Sequence, residues 1–151
     1  MSAYLRPASA ADGPAVRALI FRILDEYGLP VDPHGTDADL DDIGASYRHG
    51  RFWVIEDEGT VLGSCALYPV RDGIVELRKM YLDRSLRGLG WGRRLLETAL
   101  IAARDDGYTR VELETASVLK EAISLYAGSG FKRVAREPHS DRCDQLWALN
   151  L

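Results

Sequence analysis

The strongest constraint on the fold lies in the middle of the chain, where a β-type run is followed by a glycine-rich turn and then by a helix-type run. Residues 74–82 read IVELRKMYL, and residues 87–92 read RGLGWG. The apolar positions after the turn recur at helical spacing, at Leu95, Leu96, Ala99, Leu100 and Ala103. A turn that leaves a strand and opens a helix presents unpaired backbone N–H groups, which attract anions. The segment therefore predicts an anion-binding turn, with a tight structural turn as the alternative.

The other segments predict a mixed sheet flanked by helices, in one domain over residues 1–151. YLRPAS is typical of a first strand, and the helix after it is capped by Ser9 or Asp12 and ends near Gly28. ADLDDIGASY favours a short second helix, and RFWVIEDEGTVLGSCALYPV predicts a hairpin. Beyond the glycine-rich turn we expect a strand in TRVELET, a helix capped by Ser117, and two strands in FKRVAR and CDQLWALNL. This order of elements indicates an α+β protein.

Composition argues against several classes of function. The 151 residues are 46% hydrophobic and carry a formal net charge of −4, unlike a dedicated nucleic-acid-binding protein. No apolar run is long enough to span a membrane. Arg6 and Asp12 interrupt the amino-terminal segment where a secretory signal would be apolar, so we expect a cytoplasmic protein. Cys65 and Cys143 form no metal-binding or disulfide pattern, and we predict two buried thiols in strands.

The spacing of the glycine-rich turn rules out two common nucleotide motifs and fits a third. A dinucleotide fingerprint requires glycine at Arg93, and a P-loop requires lysine directly after Gly92, where the chain has arginine. The pattern R/Q-x-x-G-x-G/A fits, with Arg87, Gly90 and Gly92 at its fixed positions. Downstream, residues 121–131 read EAISLYAGSGF and fit AIxLYxxxGF. On these two motifs and the order of its elements, the chain resembles the GCN5-related N-acetyltransferases (GNAT) over essentially its whole length.

The resemblance implies a fold, a co-substrate and a reaction. The fold is a mostly antiparallel mixed sheet of about seven strands flanked by four helices. The reaction transfers the acetyl group of acetyl-CoA to a primary amine of a small acceptor, directly within a ternary complex and without a metal. The assembly is a monomer or a homodimer with no nucleic-acid or membrane partner. A domain that binds acetyl-CoA as a sensor without turnover is the alternative, and a nucleotide-binding module is a further one.

The same resemblance implies an acetyl-CoA site. The strand VELRKMYL is expected to separate from its neighbour, so that the backbone of Met80, Tyr81 and Leu82 can bond the pantetheine arm, with the Met80 N–H as donor to the thioester oxygen. Many members have asparagine where this chain has Leu119, so that contact is not carried over. The pyrophosphate is expected to lie on the main-chain N–H groups of Arg87, Gly88, Leu89, Gly90, Trp91 and Gly92, with Arg93 as a further contact.

Two residues are candidates for proton transfer. Tyr126 stands at the position of the family's general acid, and a phenol with a pKa of about 10 is protonated at neutral pH. Its alternative role is packing on the apolar face of its helix. Glu76 is the candidate general base, because it lies on the central strand a few residues before Met80. A salt bridge between Glu76 and Arg78 is the alternative, and His139 is a second candidate base.

The acceptor is predicted only in outline. In the family it approaches between the first two helices and the last hairpin. Residues 25–42 hold seven acidic residues and no lysine or arginine. This acidic stretch suggests a cationic acceptor such as a polyamine, an amino sugar or a lysine-like amine, although acidic runs are also common on solvated surfaces. The candidate acceptor residues are Tyr27, Asp32, His34 and His139.

Overall fold

A computed structural model describes residues 2–151 and contains one seven-stranded sheet with the order β1-β2-β3-β4-β5-β7-β6. The strands are β1 (Ala3–Pro7), β2 (Arg51–Asp57), β3 (Thr60–Arg71), β4 (Ile74–Leu82), β5 (Arg110–Thr115), β6 (Lys132–Val134) and β7 (Gln145–Asn150). The helices are α1 (Gly13–Glu26), α2 (Ile43–Ser46), α3 (Trp91–Asp105) and α4 (Lys120–Gly128). All neighbouring strands are antiparallel except β4 and β5, which are parallel. The predicted α+β fold is confirmed.

Helices cover both faces of the sheet because its strands alternate apolar side chains between two cores. In β2, Phe52 and Val54 point into one core, whereas Trp53 and Ile55 point into the other. The first core is closed by the apolar face of α1, with Val16, Leu19, Ile20, Ile23 and Leu24. The second is closed by the apolar face of α3, with Leu95, Leu96, Ala99, Leu100 and Ala103. Both helical faces follow the spacing seen in the sequence.

The strand β4 is irregular near Met80, where the sequence predicts the acetyl-CoA site. It pairs with β5 only over Ile74–Glu76, so the two strands separate beyond that point, as expected. Its pairing with β3 shifts by one residue between Arg78 and Tyr81, which marks a β-bulge. Lys79 lies in the bulge with a φ of 55°, and the Ser64 hydroxyl donates a hydrogen bond of 2.6 Å to its carbonyl oxygen. The buried Ser64 side chain thus stabilises the bulge.

Three local predictions need correction. The second helical segment is divided into a short 3₁₀ turn (Ala38–Asp41) and the single-turn α2. Ser117 does not cap α4, which begins at Lys120, because its hydroxyl and N–H bind the Asp144 carboxylate at 2.7 and 2.9 Å. Cys143 is half-buried in the loop before β7 rather than in a strand, whereas Cys65 is buried in β3 as predicted. Within residues 2–151, no helix combines the length and hydropathy needed to cross a membrane.

Candidate active site

A cleft of about 560 Å³ opens where β4 and β5 separate. Its floor includes residues 76–81 of β4, and α4 contributes Ala122 and Tyr126 to one wall. Two loops form the other wall, through Gly35, Thr36 and Asp39 before α2 and through His139, Ser140, Arg142 and Cys143 before β7. We call this space the central cleft. Five of the predicted residues line it together: Glu76, Met80, Tyr81, Tyr126 and His139.

The glycine-rich turn leaves a row of backbone N–H groups without protein acceptors. Gly88 and Gly90 have φ angles of 76° and 88°, a conformation that favours glycine. Among residues 2–151, none accepts a hydrogen bond from the N–H groups of residues 88–93. The row leads into the first turn of α3, where the helix dipole adds positive potential. This geometry suits the oxygens of a phosphate group.

Gly92 brings this row of N–H groups close to the central cleft. A Cβ atom at Gly92 would lie 3.3 Å from the Leu125 side chain, 3.4 Å from the Leu82 side chain and 4.0 Å from Cε of Met80. A Cβ atom here would require the ends of the Leu125 and Leu82 side chains to move by a few tenths of an ångström. The absence of a side chain at Gly92 therefore lets the start of α3 lie beside Met80, which lines the central cleft.

Arg87 holds the turn in place through contacts with β4 and α1. Its Nε and NH2 groups donate to the carbonyl oxygen of Leu82 at 3.1 and 2.9 Å, and its guanidinium is ion-paired with Glu26. It also lies 5.3 Å from the ring centroid of Tyr27. The hydrogen bond that it donates to Glu26 raises the pKa of Arg87. The motif arginine therefore ties the turn to β4 and α1, and Tyr27 lies beside it rather than in the lining of the central cleft.

The other cations of the turn have different environments. The Arg94 guanidinium stacks on the Trp91 ring, 4.1 Å from its centroid. Arg93 is exposed on the first turn of α3 and forms no ion pair within the described part of the chain. Arg93 is thus the basic side chain that is free to reach a phosphate near the turn.

The side chain of Tyr126 is buried and also reaches the central cleft. Its side chain is 5% exposed and packs against Phe131, with ring centroids 5.8 Å apart. It nevertheless lines the central cleft together with Met80. Burial raises the pKa of Tyr126 above its ordinary value, because the phenolate would lose its hydration. The phenol is therefore protonated at neutral pH, as a proton donor must be.

The two candidate bases are held by charged or polar partners. The ion pair between Glu76 and Arg78 is present, with 2.5 Å between Oε1 and Nε, and only this carboxylate oxygen has a hydrogen-bond donor within residues 2–151. His139 is 80% exposed, and its Nδ1 lies 2.8 Å from the Glu114 carboxylate. If Nδ1 carries the proton, the Nε2 lone pair is free to accept one. Both residues can therefore still accept a proton.

The structure contains a buried ion cluster, which we define as Asp37, Asp39, Lys79 and Arg142. Asp37 is 0% exposed. It accepts hydrogen bonds from Lys79 at 2.9 Å, from two Arg142 nitrogens at 2.8 and 2.9 Å, and from the backbone N–H of Asp32 at 2.9 Å. Asp39 lies 3.2 Å from Lys79 and accepts a hydrogen bond from Tyr47. The cluster ties the bulge of β4 to the two loops that form one wall of the central cleft.

The hydrogen bonds in this cluster also determine the charge state of Asp37. Burial acts to raise the pKa of Asp37, but the hydrogen bonds from Arg142 and Lys79 outweigh it and leave the pKa below its ordinary value. Asp37 is therefore ionised. One signal for the cluster is visible in the sequence, because Lys79 continues the alternating positions of Val75 and Leu77 in a β-type run.

Most carboxylates of the acidic stretch are engaged in contacts within the protein. Asp37 and Asp39 belong to the buried ion cluster. Asp42 caps α2 by accepting a hydrogen bond of 3.0 Å from the Ala45 N–H, and Asp32 accepts one of 2.9 Å from the Thr36 N–H. Asp32 and His34 do not line the central cleft, although the neighbouring residues 35–36 do.

Comparisons with known proteins agree with this geometry. A family model described as the acetyltransferase (GNAT) family matches residues 17–131. The Escherichia coli (strain K12) protein named uncharacterized N-acetyltransferase YjgM is 37% identical over 140 residues, which cover 88% of this chain and 84% of that protein. Human N-acetyltransferase 8 is 35% identical over 65% of this chain and 47% of its own length. The chain thus spans about half the length of this mammalian relative.

Solved structures share the complete fold. An acetyltransferase of the GNAT family from Staphylococcus aureus Mu50 superposes with a TM-score of 0.92 at 20% identity, over 99% of each chain. N-acetylglutamate synthase from Neisseria gonorrhoeae, solved with coenzyme A and N-acetyl-glutamate, superposes with a TM-score of 0.75 at 21% identity, over all of this chain and 35% of that chain. The family match over most of the chain, together with the full-length likeness in fold, shows that this protein belongs to the acetyltransferase (GNAT) family and is an N-acetyltransferase.

Proposed function

We propose that this protein transfers the acetyl group of acetyl-CoA directly to a primary amine of a small molecule bound in the central cleft. One observation carries the proposal. The glycine-rich turn with its open N–H groups approaches Met80, where β4 has left its pairing with β5, and Met80 lines the central cleft together with Tyr126. An acyl donor with a pyrophosphate at one end and a thioester at the other matches that order of groups.

The donor side of this site fits acetyl-CoA. The N–H groups of residues 88–93 would hold the pyrophosphate, with Arg93 as an additional cation. The backbone of Met80, Tyr81 and Leu82 would bond the pantetheine arm, because β4 lacks its β5 partner there. The solved N-acetylglutamate synthase of the same fold, which contains coenzyme A, supports this assignment.

The acyl step requires three protein functions. The amine nitrogen forms a bond to the thioester carbon, and the carbon–sulfur bond breaks. The Met80 N–H would stabilise the negative charge that develops on the carbonyl oxygen. Tyr126 would give its proton to the departing thiolate. Glu76, or His139 through Nε2, would take the proton that the amine loses, directly or through water.

The charge of the acceptor does not follow from the acidic stretch. The carboxylates that suggested a cationic acceptor are mostly engaged within the protein. The acidic residues lining the central cleft are Asp39, Glu76, Glu112 and Glu114, and the lining lysine and arginines are Arg71, Arg78, Lys79 and Arg142. A cationic amine therefore remains one hypothesis to be tested beside anionic and neutral amines. A cytoplasmic location and a monomeric or homodimeric state also remain predictions.

Two measurements test the function. We expect acetyl-CoA, but not ATP or NAD, to raise the melting temperature. Absence of stabilisation by millimolar acetyl-CoA would contradict the donor assignment. Release of free thiol across a panel of amines then measures turnover. A protein that is stabilised by acetyl-CoA but releases no thiol with any amine would instead match the acetyl-CoA sensor.

The role of Tyr126 is tested by replacing it with phenylalanine. This change removes the hydroxyl and keeps the packing against Phe131. We expect Tyr126→Phe to lower kcat by well over tenfold, about 1.4 kcal/mol or more in the activation free energy, while stabilisation by acetyl-CoA persists. Tyr108→Phe, a similar change at a tyrosine that does not line the central cleft, is the matched control. Equal rates for Tyr126→Phe and the unmodified protein would exclude the general-acid role.

A further inference from the structure

We propose that the acceptor carries a carboxylate close to its primary amine, the chemistry of a free amino acid, and that Arg78 and Arg71 recognise this carboxylate. The inference rests on the proposed acetyl transfer and specifies the substrate class of the same cleft. It is based on an imbalance of charge in the open part of the sheet and on the way in which Arg78 is held.

Three arginines share a single buried carboxylate beside the central cleft. Arg71 and Arg136 each donate through NH2 to Oε1 of Glu112 at 2.8 Å, and Arg110 donates through Nε to Oε2 at 3.0 Å. The Glu112 side chain is 5% exposed, whereas the side chains of Arg71, Arg110 and Arg136 are 46%, 30% and 45% exposed, so one buried negative charge faces three partly solvated positive charges. Two positive charges remain without a counter-charge in this group.

Two of these arginines retain unused donors. Within the described residues, Arg71 and Arg136 form no hydrogen bond other than the one to Glu112, so Nε and NH1 of each remain available. Arg110 differs, because its NH1 also donates to the side-chain oxygen of Asn150 at 3.1 Å. Arg71 lines the central cleft. Of the two, Arg71 is therefore the member of the group that can bind an anion in the central cleft.

Arg78 lines the same cleft and is held by contacts with its neighbours. Its Nε is bound to Glu76 at 2.5 Å, and its guanidinium carbon lies 4.0 Å from the ring centroid of Tyr68. The Tyr47 hydroxyl is its other polar neighbour. A guanidinium that is stacked on a ring and held through Nε loses little entropy when its two terminal nitrogens bind a carboxylate.

These arginines lie side by side. Glu76 and Glu112 are direct partners in the parallel pairing of β4 and β5, so the side chains held by each of them are neighbours on one face of the sheet. Met80 lies two residues beyond Arg78, across the bulge at Lys79, and both residues line the central cleft. A carboxylate held at Arg78 can therefore leave an amine on the same small molecule near Met80 and Tyr126.

The charge distribution also predicts which acceptors are disfavoured. An amine without a carboxylate leaves the two uncompensated guanidinium charges unpaired, and a polyamine adds further positive charge beside them. A carboxylate neutralises one of the charges and accepts paired hydrogen bonds. We therefore expect the cleft to favour an amine that carries a carboxylate over a neutral or cationic analogue that lacks one.

Matched acceptor pairs test the inference. Thiol release is measured for a series of free amino acids, for their carboxamides, which lack only the carboxylate charge, and for a polyamine. We expect kcat/KM to be at least tenfold higher for the acid than for its amide. Acetylation of amides or polyamines at equal or higher kcat/KM would overturn the inference and leave the proposed acetyl transfer intact.

Variants connect the preference to the named arginines. Arg78→Gln and Arg71→Ala should each lower the ratio of kcat/KM for acid over amide at least fivefold. Arg104→Ala, at an exposed arginine on the last turn of α3, should leave that ratio unchanged. Stabilisation by acetyl-CoA shows that each variant is folded. An unchanged ratio in both cleft variants would contradict the assignment.

A binding measurement decides the inference if no acceptor is turned over. Isothermal titration of the same acid and amide pairs in the presence of coenzyme A should give a Kd at least tenfold lower for the acid. Equal affinity, or no binding of any acid, would overturn the inference. Failure of acetyl transfer is seen separately, as the absence of thiol release or of stabilisation by acetyl-CoA.

Discussion

Asp37 is the residue on which the buried ion cluster depends. Its two carboxylate oxygens accept all the hydrogen bonds that link Lys79 and Arg142 within the cluster. Asp37→Ala would leave two buried cations without their main counter-charge. Breaking a buried ion pair from one side costs about 3–5 kcal/mol, so we expect a loss of that size in the free energy of unfolding, measured by urea denaturation.

A neighbouring aspartate provides the control for this prediction. Asp41 lies four residues away, is exposed, and forms no ion pair within residues 2–151. Asp41→Ala should change the free energy of unfolding by less than about 0.5 kcal/mol. If the two variants were equally stable, the cluster would contribute nothing measurable to folding.

The single residues of the site differ in how far the sequence predicts them. Arg87 and Tyr126 stand in motifs of fixed spacing, so their positions follow from short-range pattern. The contact between Asp37 and Lys79 joins residues that are 42 positions apart, and only the packing of a loop on the β4 bulge brings them together. Tyr27 shows the same limit, because α1 carries it to Arg87 rather than to the central cleft.

At the scale of elements, two glycines at the ends of α3 allow the effect of backbone strain on stability to be distinguished from an effect on acetyl-CoA binding. Gly90 has a φ of 88°, and Gly107, at the end of α3, has a φ of 86°. A Cβ atom added at either glycine would have no neighbouring atom within 4 Å, so alanine at either site meets only backbone strain. Each substitution should cost about 1–2 kcal/mol of stability.

Only one of these two substitutions should affect the donor. Gly90 lies within the row of open N–H groups, whereas Gly107 is at the opposite end of the same helix. We expect Gly90→Ala to raise the Kd for acetyl-CoA at least fivefold and Gly107→Ala to leave it unchanged, as measured by isothermal titration. A similar Kd for both variants would indicate that the turn does not hold the pyrophosphate.

The order of the elements was predictable because hydrophobic period and turn residues are local properties of the sequence. The run Ile74–Leu82 forms a strand with the bounds expected from the sequence. The start of α4 differs from the prediction, because the Ser117 hydroxyl, expected to cap the helix, instead donates a hydrogen bond to the Asp144 carboxylate in the loop before β7. Long-range partners of polar residues therefore mark the limit of local prediction.

At the scale of the whole molecule, ion pairs connect segments that are distant in sequence. Arg6 in β1 binds both Asp12 before α1 and Glu56 in β2. Arg22 of α1 binds Asp83 after β4, and Glu26 of α1 binds Arg87. Although the chain has a formal net charge of −4, each of these four carboxylates has an arginine partner. The pairing of carboxylates across the fold makes its stability sensitive to acid.

The pKa of Asp12 indicates the pH range over which this stability is lost. Hydrogen bonds from Arg6, at 2.8 and 2.9 Å, and from the backbone of Ser9 lower the pKa of Asp12 from 3.8 to about 2. Because the folded-state pKa is lower than the unfolded one, the stabilisation is complete above about pH 4 and is lost as the pH falls towards 2. The pKa of Asp83 is also about 2, mainly through its hydrogen bonds with Ser85, so it acts in the same range.

Replacing Asp12 should remove part of this pH dependence. We expect Asp12→Asn to lower the free energy of unfolding at pH 7 by roughly 2 kcal/mol and to lose less stability than the unmodified protein between pH 4 and pH 2, as measured by thermal denaturation at each pH. Asp25→Asn, at an exposed carboxylate on α1, should keep the original profile. If Asp12→Asn instead loses stability in acid as steeply as the unmodified protein, other carboxylates dominate the acid response, and the junction at β1 contributes little to it.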